Sequence, residues 1–209
     1  MSYDKRMDNL PLFISFPRCG SHWLNCVMEL YFDRPRLREG RTTFLPPNRK
    51  DWMWFHDHDL ELNLGRKNVL YLYRDPVDVM FSDTMSEKGQ IDKNFIKRRT
   101  QLYNKHLCLY LVNYAVKYYM KYENLLLNFN KEFKIAVDFF NKDLNEEKLN
   151  EVKKIVTKDT LAKISKNKQF INKELTSKQY SDKRRWFRKE YSDMINDIVI
   201  KSDLEEFFD

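Results

Sequence analysis

A strand, a tight loop and a helix follow one another between Leu12 and Phe32, and this stretch constrains the fold of the chain more than any other. The run Leu12–Phe16 is apolar and rich in aromatic residues, as expected for a buried strand. Pro17 and Gly20 then interrupt the chain. Apolar residues at helical spacing follow, namely Trp23, Leu24, Val27, Met28, Leu30 and Tyr31. The pattern therefore predicts a strand that runs through a short loop into a helix.

Such a loop is suited to binding a phosphate-like group. The first backbone N–H groups of a helix have no acceptor within the helix, and the helix dipole adds partial positive charge there. Arg18 adds a cation to the loop, and Ser21 adds a hydroxyl at the expected N-cap position. Neither the Walker A pattern nor the glycine-rich dinucleotide fingerprint is present. The loop is therefore a candidate anion site of another kind.

A second strand and helix begin at Val69. The run Val69–Tyr73 is apolar throughout, as in strands that are covered on both faces. Asp75 is a plausible N-cap, and Pro76 fits the first position of the helix that follows. Arg74 lies between this strand and its helix, so the chain offers a second cation at a strand end.

The remaining pattern alternates strands with helices. Further strands are predicted at 52–56 and 118–122, and further helices at 92–116, 130–141, 146–156, 160–164 and in the tail from Trp186. Residues 33–50 are predicted to form a surface loop, because they hold several prolines and arginines. Alternation of this kind predicts a three-layer α/β fold, with a parallel sheet of four or five strands flanked by helices.

Length and composition suit one domain that spans residues 1–209, with 1–10 as a loose arm and 165–185 as a flexible basic loop. The formal net charge of +7 suits an anionic ligand. The three cysteines form no CxxC pair and no zinc-like spacing with histidine, which favours a reduced, cytoplasmic location. We expect neither a signal peptide nor a membrane span.

Three segments resemble motifs of the cytosolic-type sulfotransferases. The segment Phe16-Pro17-Arg18-Cys19-Gly20-Ser21-His22-Trp23 resembles their 5′-phosphosulfate loop, in which Lys stands at the place of Arg18. The segment from Arg74 to Ser82 resembles their 3′-phosphate motif, with Arg and Ser at the family spacing. Tyr122-Glu123-Asn124-Leu125-Leu126 resembles a third segment, after a later strand. All three follow predicted strands, and the likeness covers about residues 11–127.

The resemblance implies a P-loop-like fold and transfer of a sulfuryl group from 3′-phosphoadenosine 5′-phosphosulfate (PAPS) to a hydroxyl acceptor, which releases 3′-phosphoadenosine 5′-phosphate (PAP). It implies direct in-line transfer without a metal. The implied donor-binding residues are Arg18, Cys19, Gly20, Ser21, His22, Trp23, Arg74, Ser82, Tyr122, Lys183 and Arg184. Several of these residues have an alternative role that does not involve the donor. Trp23 could be a core residue, His22 an ordinary residue of the first helical turn, and Tyr122 a residue that closes the sheet. Residues 183–185 could form a solvated charge cluster.

The resemblance also places a catalytic histidine just after the strand that precedes the 3′-phosphate strand, where His56 and His58 lie. Histidine suits a general base because its unperturbed pKa is near neutrality, about 6.5. In an extended chain both rings point to the same side. We favour His56, which is nearer the strand end, over His58. No third ligand supports a metal at this pair, and His106 is interpreted as structural.

Two other functions compete with this interpretation. A P-loop-like nucleotide kinase would need a Walker lysine, which is missing from the loop around Arg18. A basic RNA-binding module would need aromatic side chains on an open sheet face, whereas the predicted strands are of the buried kind. We therefore expect no nucleic-acid partner. The acceptor of the sulfuryl group is not predicted, because acceptor pockets are built from variable loops.

Overall fold

The central sheet is parallel throughout the described part of the chain. The computed structural model describes residues 10–37, 44–46, 48–64, 68–86, 91–113, 118–164, 177–200, 204 and 207–208. Its strands are β1 (Leu12–Ser15), β2 (Arg36–Leu37), β3 (Trp54–Asp57), β4 (Val69–Tyr73) and β5 (Tyr118–Lys121). Their order is β2-β3-β1-β4-β5, and every pairing is parallel. The predicted α/β fold with a parallel sheet is confirmed.

Helices flank this sheet and explain why its strands are apolar. They are α1 (Ser21–Phe32), α2 (Pro76–Ser86), α3 (Lys93–Leu107), α4 (Tyr122–Leu127), α5 (Phe129–Phe139), α6 (Glu146–Ile155), α7 (Lys158–Ile164) and α8 (Ser177–Ile200). A π-helical segment, Cys108–Asn113, continues α3. Every residue of β1 and β4 is buried, as expected for central strands covered on both faces.

The register of the sheet brings the ends of three strands together. Ser15 at the end of β1 lies beside Leu72 of β4, and Ile14 lies beside Asp57 at the end of β3. Because parallel strands end at one edge of a sheet, the residues after β1, β3 and β4 share that edge. This is the edge at which open α/β sheets bind their ligands.

The helix starts largely follow the sequence signals. Asp75 caps α2 as predicted, since its Oδ1 accepts a hydrogen bond of 2.8 Å from the N–H of Asp78. In α1, by contrast, the N-cap is Gly20, and Ser21 is the first helical residue and not the cap. The helix predicted at 92–116 is present as α3 and its π-helical continuation up to Asn113, and 114–116 lie outside the described residues.

Two predicted loops contain regular structure. Strand β2 lies within the loop expected at 33–50, and a two-residue strand is too short to give a sequence pattern. Residues 177–185, expected in a flexible basic loop, form the start of α8, whose buried Phe187, Ile195 and Val199 anchor it. The many charged residues on its exposed sides obscured the helical period. The rest of that loop, 165–176, and residues 1–9 of the expected arm lie outside the described residues.

No helix in the described ranges combines the length and the apolar character that a membrane span requires.

Candidate functional site

The loop after β1 buries its cysteine and leaves its arginine half-buried. Arg18 and Gly20 both have left-handed backbone angles, with φ of 72° and 93°. Cys19 between them is fully buried, and its Sγ lies 3.7 Å from the hydroxyl of Tyr103. Burial raises the pKa of the Cys19 thiol to about 12. Its N–H donates to the carbonyl of Phe16 at 3.3 Å, so both polar groups of Cys19 face the protein. This geometry gives no support to the predicted ligand contact of Cys19.

Gly20 is required for two reasons. Its φ of 93° is costly for a residue with a side chain. A Cβ at this position would also lie 2.4 Å from Cε2 of Tyr122, well inside van der Waals contact. The ring of Tyr122 therefore packs directly on the backbone of the loop, which is a close approach that only glycine allows.

Substituting Gly20→Ala is expected to lower the free energy of unfolding by about 2 kcal/mol or more, because backbone strain and the clash with Tyr122 add together. Urea denaturation measures this change. In a Tyr122→Ala background the clash is absent, so Gly20→Ala should cost only the strain, about 1–2 kcal/mol. An unchanged urea midpoint for Gly20→Ala in the otherwise unaltered chain would contradict this account.

The two predicted anion sites lie in direct contact. Nε of Arg18 donates to Oγ of Ser82 at 3.1 Å. Nη1 of Arg74 donates to the carbonyl oxygen of Arg18 at 3.1 Å. Burial lowers the pKa of Arg18, and the carboxylate of Asp83 acts against this decrease. A guanidinium remains charged under such conditions, so two cations and a hydroxyl converge at one edge of the sheet.

Arg74 is held in place without its hydrogen-bonding capacity being used up. Its guanidinium carbon lies 4.5 Å from the ring centroid of Tyr122, within cation–π range. Its Nη2 is 3.8 Å from Oδ2 of Asp78, and its Nε is 3.9 Å from Oε1 of Glu123. Within the described part of the chain, this buried Nε has no hydrogen-bond partner. A buried donor of this kind is uncommon and indicates a position that a ligand can satisfy.

Tyr103 fixes the backbone of Arg74, and sequence reasoning missed it. Its hydroxyl accepts from the N–H of Arg74 at 3.1 Å and donates to the carbonyl of Arg74 at 2.8 Å. The same hydroxyl lies beside Cys19, so one side chain of α3 contacts both loops. A tyrosine on the buried stripe of a helix has the spacing of an ordinary core residue, so the sequence gives no signal for this contact.

Arginines of α8 reach the start of α2. Nε of Arg184 donates to Oδ1 of Asp78 at 2.9 Å, and its Nη2 bonds the other oxygen. Arg188, which the sequence analysis did not identify, lies 2.9 Å from Asp78 and 3.0 Å from Asp75. It follows Arg184 by four residues, so on a helix both face the same side. Lys183 is exposed and Arg185 points to Asp182 at 3.9 Å, so only part of the predicted cluster joins the site.

The contact between α8 and the start of α2 depends on the ionised state of Asp78. Burial alone would raise the pKa of Asp78, but the hydrogen bond from Arg184 and the charges of Arg188, Arg184 and Arg74 outweigh burial and lower it. A carboxylate among several guanidinium groups holds α8 against the strand end that bears Arg74.

His56 and His58 lie on one side of β3, as the alternation of a strand predicts. Their ring centroids are 5.0 Å apart. His56 is only 2% exposed, and its Nε2 is 3.3 Å from Oγ of Ser15. His58 follows the strand and is half-buried, and its Nδ1 lies 2.7 Å from the carbonyl oxygen of Ser15. Because a carbonyl can only accept, we assign the proton of His58 to Nδ1, which places the lone pair on Nε2.

The other predicted residues of the first helical turn lie close to the loop. Trp23 packs against Phe129, with ring centroids 5.3 Å apart, and its Nε1 donates to the carbonyl of Val156 at 3.3 Å. Its ring also meets that of Tyr122 edge-on at 6.4 Å. Ser21 is buried and His22 is half-buried. Trp23 therefore combines a packing role with a position next to the candidate site.

No group of three or more histidine, cysteine, aspartate or glutamate side chains that could hold a metal ion occurs within the described ranges.

Comparison with known proteins identifies the fold. No protein-family model matches the chain, and no curated protein is similar enough in sequence to count as a match. Among solved structures, the chain is similar to mouse sulfotransferase SULT7A1 complexed with PAP, with 15% identity, a TM-score of 0.57 and coverage of 94% of this chain and 89% of that one. It is also similar to retinol dehydratase in complex with androsterone and the inactive cofactor PAP, with 16% identity, a TM-score of 0.59 and coverage of 96% and 83%. The chain thus has the fold of these PAP-binding proteins.

Proposed function

We propose that this protein is a sulfotransferase that moves a sulfuryl group from PAPS to an acceptor hydroxyl. The observation that carries the proposal is the convergence of Arg18, Arg74 and Ser82 at the carboxyl edge of β1 and β4, where Nε of Arg74 is buried without a hydrogen-bond partner within the described residues. The likeness to two structures that contain PAP supports the same ligand class.

The residues fit a donor that is anionic at both ends. Arg18 and the first turn of α1 are suited to the 5′-phosphosulfate, because a cation and unshared helix N–H groups meet there. Arg74 and Ser82 are suited to the 3′-phosphate, since a guanidinium offers a planar pair of donors to two oxygens. Arg184, which bonds Asp78 one helical turn from Arg74, is close enough to contribute charge. Trp23 and Tyr122 remain our prediction for the adenine contact.

Arg18 would act by charge and not by proton transfer. When the bond between sulfur and the bridging oxygen breaks, negative charge develops on the departing phosphate. A fixed guanidinium in a partly buried loop stabilises that charge, and removing such a group from an active site commonly costs about 10²–10³ in rate. Arginine cannot act as the general acid because its pKa is too high. PAPS supplies the activated sulfuryl group, and we propose that arginines and backbone N–H groups neutralise it without a metal.

We propose His58 as the general base, in preference to His56. The bond from Nδ1 of His58 to the carbonyl of Ser15 places its lone pair on Nε2, the nitrogen that can take a proton. His56 is 2% exposed and lies on the strand, where an acceptor would have to enter the sheet to reach it. As the acceptor oxygen bonds to sulfur, its proton passes to Nε2 of His58, and PAP leaves with the electron pair of the broken bond.

The described strands do not favour the RNA-binding alternative. The side chains of β1 and β4 are buried on both faces, so these strands offer no open aromatic surface on which bases could stack. A cytoplasmic location remains our proposal; Cys19 and Cys26 are buried free thiols, which suits a reducing compartment.

The proposal is tested by calorimetry with PAP, AMP and ATP, the last with and without Mg²⁺. PAP is expected to bind at least tenfold more tightly than AMP, a difference of about 1.4 kcal/mol, because only PAP carries the phosphate that Arg74 and Ser82 would bind. Equal affinity for PAP and AMP would argue against the assignment. Tight binding of ATP that requires Mg²⁺, together with ATP turnover, would favour a nucleotide kinase instead.

A further inference from the structure

The buried side chain of His106 is hydrogen-bonded to the backbone of His58, the proposed base. It lies on α3 and is fully buried. Its Nε2 is 3.0 Å from the carbonyl oxygen of His58, and its Nδ1 is 2.8 Å from the hydroxyl of Tyr71. The carbonyl can only accept, so Nε2 carries the proton and donates to His58. The hydroxyl of Tyr71 can then donate to Nδ1, so one neutral tautomer satisfies both partners.

The neutral state of His106 is secured by its surroundings. Burial lowers the pKa of His106 to about 3, although the bond to the carbonyl of His58 acts in the opposite direction. The ring therefore does not change charge between pH 5 and 8, the range in which the proposed base must work. A fixed donor points at the backbone of His58 throughout that range.

The residue that follows His58, Asp59, is itself held by described contacts. Asp59 has a left-handed φ of 39° and is 3% exposed. Its Oδ2 accepts a hydrogen bond from the hydroxyl of Tyr110, in the π-helical segment that continues α3. Its N–H donates to Oδ1 of Asp57 at 2.7 Å. His58 and Asp59 are thus each hydrogen-bonded to a neighbouring side chain, His58 to His106 of α3 and Asp59 to Tyr110 of the π-helical segment.

We propose that His106 is a positioning residue that, through the carbonyl of His58, keeps the His58 ring in the orientation in which Nδ1 bonds Ser15 and Nε2 faces the acceptor. The inference rests on the proposed function only where it takes His58 to be the base. The donor bond crosses from α3 to the edge of β3, 48 residues apart in the chain. Removing the partners that orient a metal-bound histidine typically costs about 10–100-fold in affinity or activity, and we expect a loss of the same order for a histidine that acts as a base.

A competing account treats His106 as a buried histidine whose polar atoms happen to be satisfied. Both accounts predict lower stability when the ring is replaced. Only the positioning account predicts a change in the tautomer of His58 and a loss of turnover per folded molecule. The decisive measurement is therefore the tautomer of the His58 ring.

The test uses ¹⁵N-histidine-labelled protein without ligand and long-range ¹H–¹⁵N spectra of the imidazole rings. The chain has four histidines, and the spectrum of His58→Ala identifies the signals of His58. In the unaltered chain, His58 should show the tautomer with the proton on Nδ1. In His106→Leu, which removes the donor, the two tautomers should become mixed. In His106→Gln, whose amide N–H can still reach the carbonyl, the original tautomer should be largely retained.

Turnover and binding complete the test. With PAPS and whichever acceptor in a panel of phenols, sugars and tyrosine peptides gives the fastest formation of PAP, kcat should fall by roughly tenfold in His106→Leu. PAP affinity should stay within about twofold, because Arg18 and Arg74 are untouched. Thr100→Val is the matched control: it removes a buried hydrogen bond from Thr100 to Ile96 on the same helix, and should lower stability but leave the His58 signals unchanged.

Several outcomes would overturn the inference. It fails if His106→Leu keeps the His58 tautomer and, like Thr100→Val, loses only stability. If His106→Leu does not fold, His106→Phe decides: its ring fills similar space but has no N–H to donate to the carbonyl of His58, and an unchanged His58 tautomer in that variant would exclude the positioning role. If the unaltered protein neither binds PAP nor consumes PAPS, the proposed function is wrong. The comparison of His58 tautomers in the unaltered chain and in His106→Leu would still show whether His106 orients His58.

Discussion

Replacing His58 by alanine is expected to slow PAPS-dependent turnover by about 10²–10⁴-fold, the usual contribution of a general base. PAP affinity should remain within about twofold, since His58 is not among the residues that would hold either phosphate. The physical reason is that Nδ1 of His58 bonds the carbonyl of Ser15, so Nε2 carries the lone pair that the proposed base would use. Single-turnover measurements with saturating PAPS separate the chemical step from binding.

His56→Ala is the matched comparison for this prediction. His56 is buried and bonds the hydroxyl of Ser15, so its loss should reduce stability more than the rate of the chemical step. If His56→Ala abolishes turnover with an intact fold while His58→Ala remains active, then the base is His56 and not His58.

Replacing Arg74 by alanine is expected to weaken PAP binding by about 30–100-fold, or roughly 2–3 kcal/mol, which is the worth of hydrogen bonds between charged groups in a partly buried site. AMP affinity should change little, because AMP has no 3′-phosphate. The substitution should therefore remove the preference for PAP over AMP. Calorimetry with both nucleotides on the same variant measures this change.

Arg185→Ala is the control for the loss of a positive charge. Arg185 is exposed and lies 3.9 Å from Asp182, away from the contacts of Arg74. Its removal should leave PAP affinity within about twofold at moderate salt, where surface charges are screened. Equal losses in the two variants would show that PAP is attracted by net charge alone, and Arg74 would then have no specific role.

Local patterns predicted the parts of the site that belong to a single strand, loop or helix. Strands β1 and β4 were predictable because their runs are apolar without interruption. Arg18 was predictable from its place in the loop after β1, whereas Arg74 and Ser82 were identified as a pair by the resemblance to the sulfotransferase 3′-phosphate motif. The local pattern and the resemblance together therefore identify the side chains at the carboxyl edge of the sheet.

The contacts that hold these residues in place were not predictable. Tyr103 bonds the backbone of Arg74 across 29 residues, and His106 bonds that of His58 across 48. Both lie on the buried stripe of α3, where a polar side chain has the same spacing as an apolar one. Their partners become apparent only when the packing of α3 against the sheet is known.

The start of α8 was missed for a different reason. Its exposed sides carry so many charges that the apolar period is weak, and Phe187 and Ile195 are too few to reveal it. Arg188 was missed with it, because a residue in an assumed loop has no fixed direction. Once the helix is recognised, the spacing of four residues pairs Arg188 with Arg184 on the acidic start of α2.

The place of β1 at the centre of the sheet has a consequence for the order of events on the ribosome. Its neighbours are β3 and β4, so the strand that leads into the Arg18 loop is enclosed on both edges only after the chain has been synthesised as far as Tyr73. Arg184 and Arg188 of α8 emerge more than a hundred residues later still. A nascent chain therefore passes through most of its synthesis before the proposed nucleotide site is complete. If the proposed nucleotide binds only the finished fold, it would stabilise the folded protein and not the partly synthesised chain.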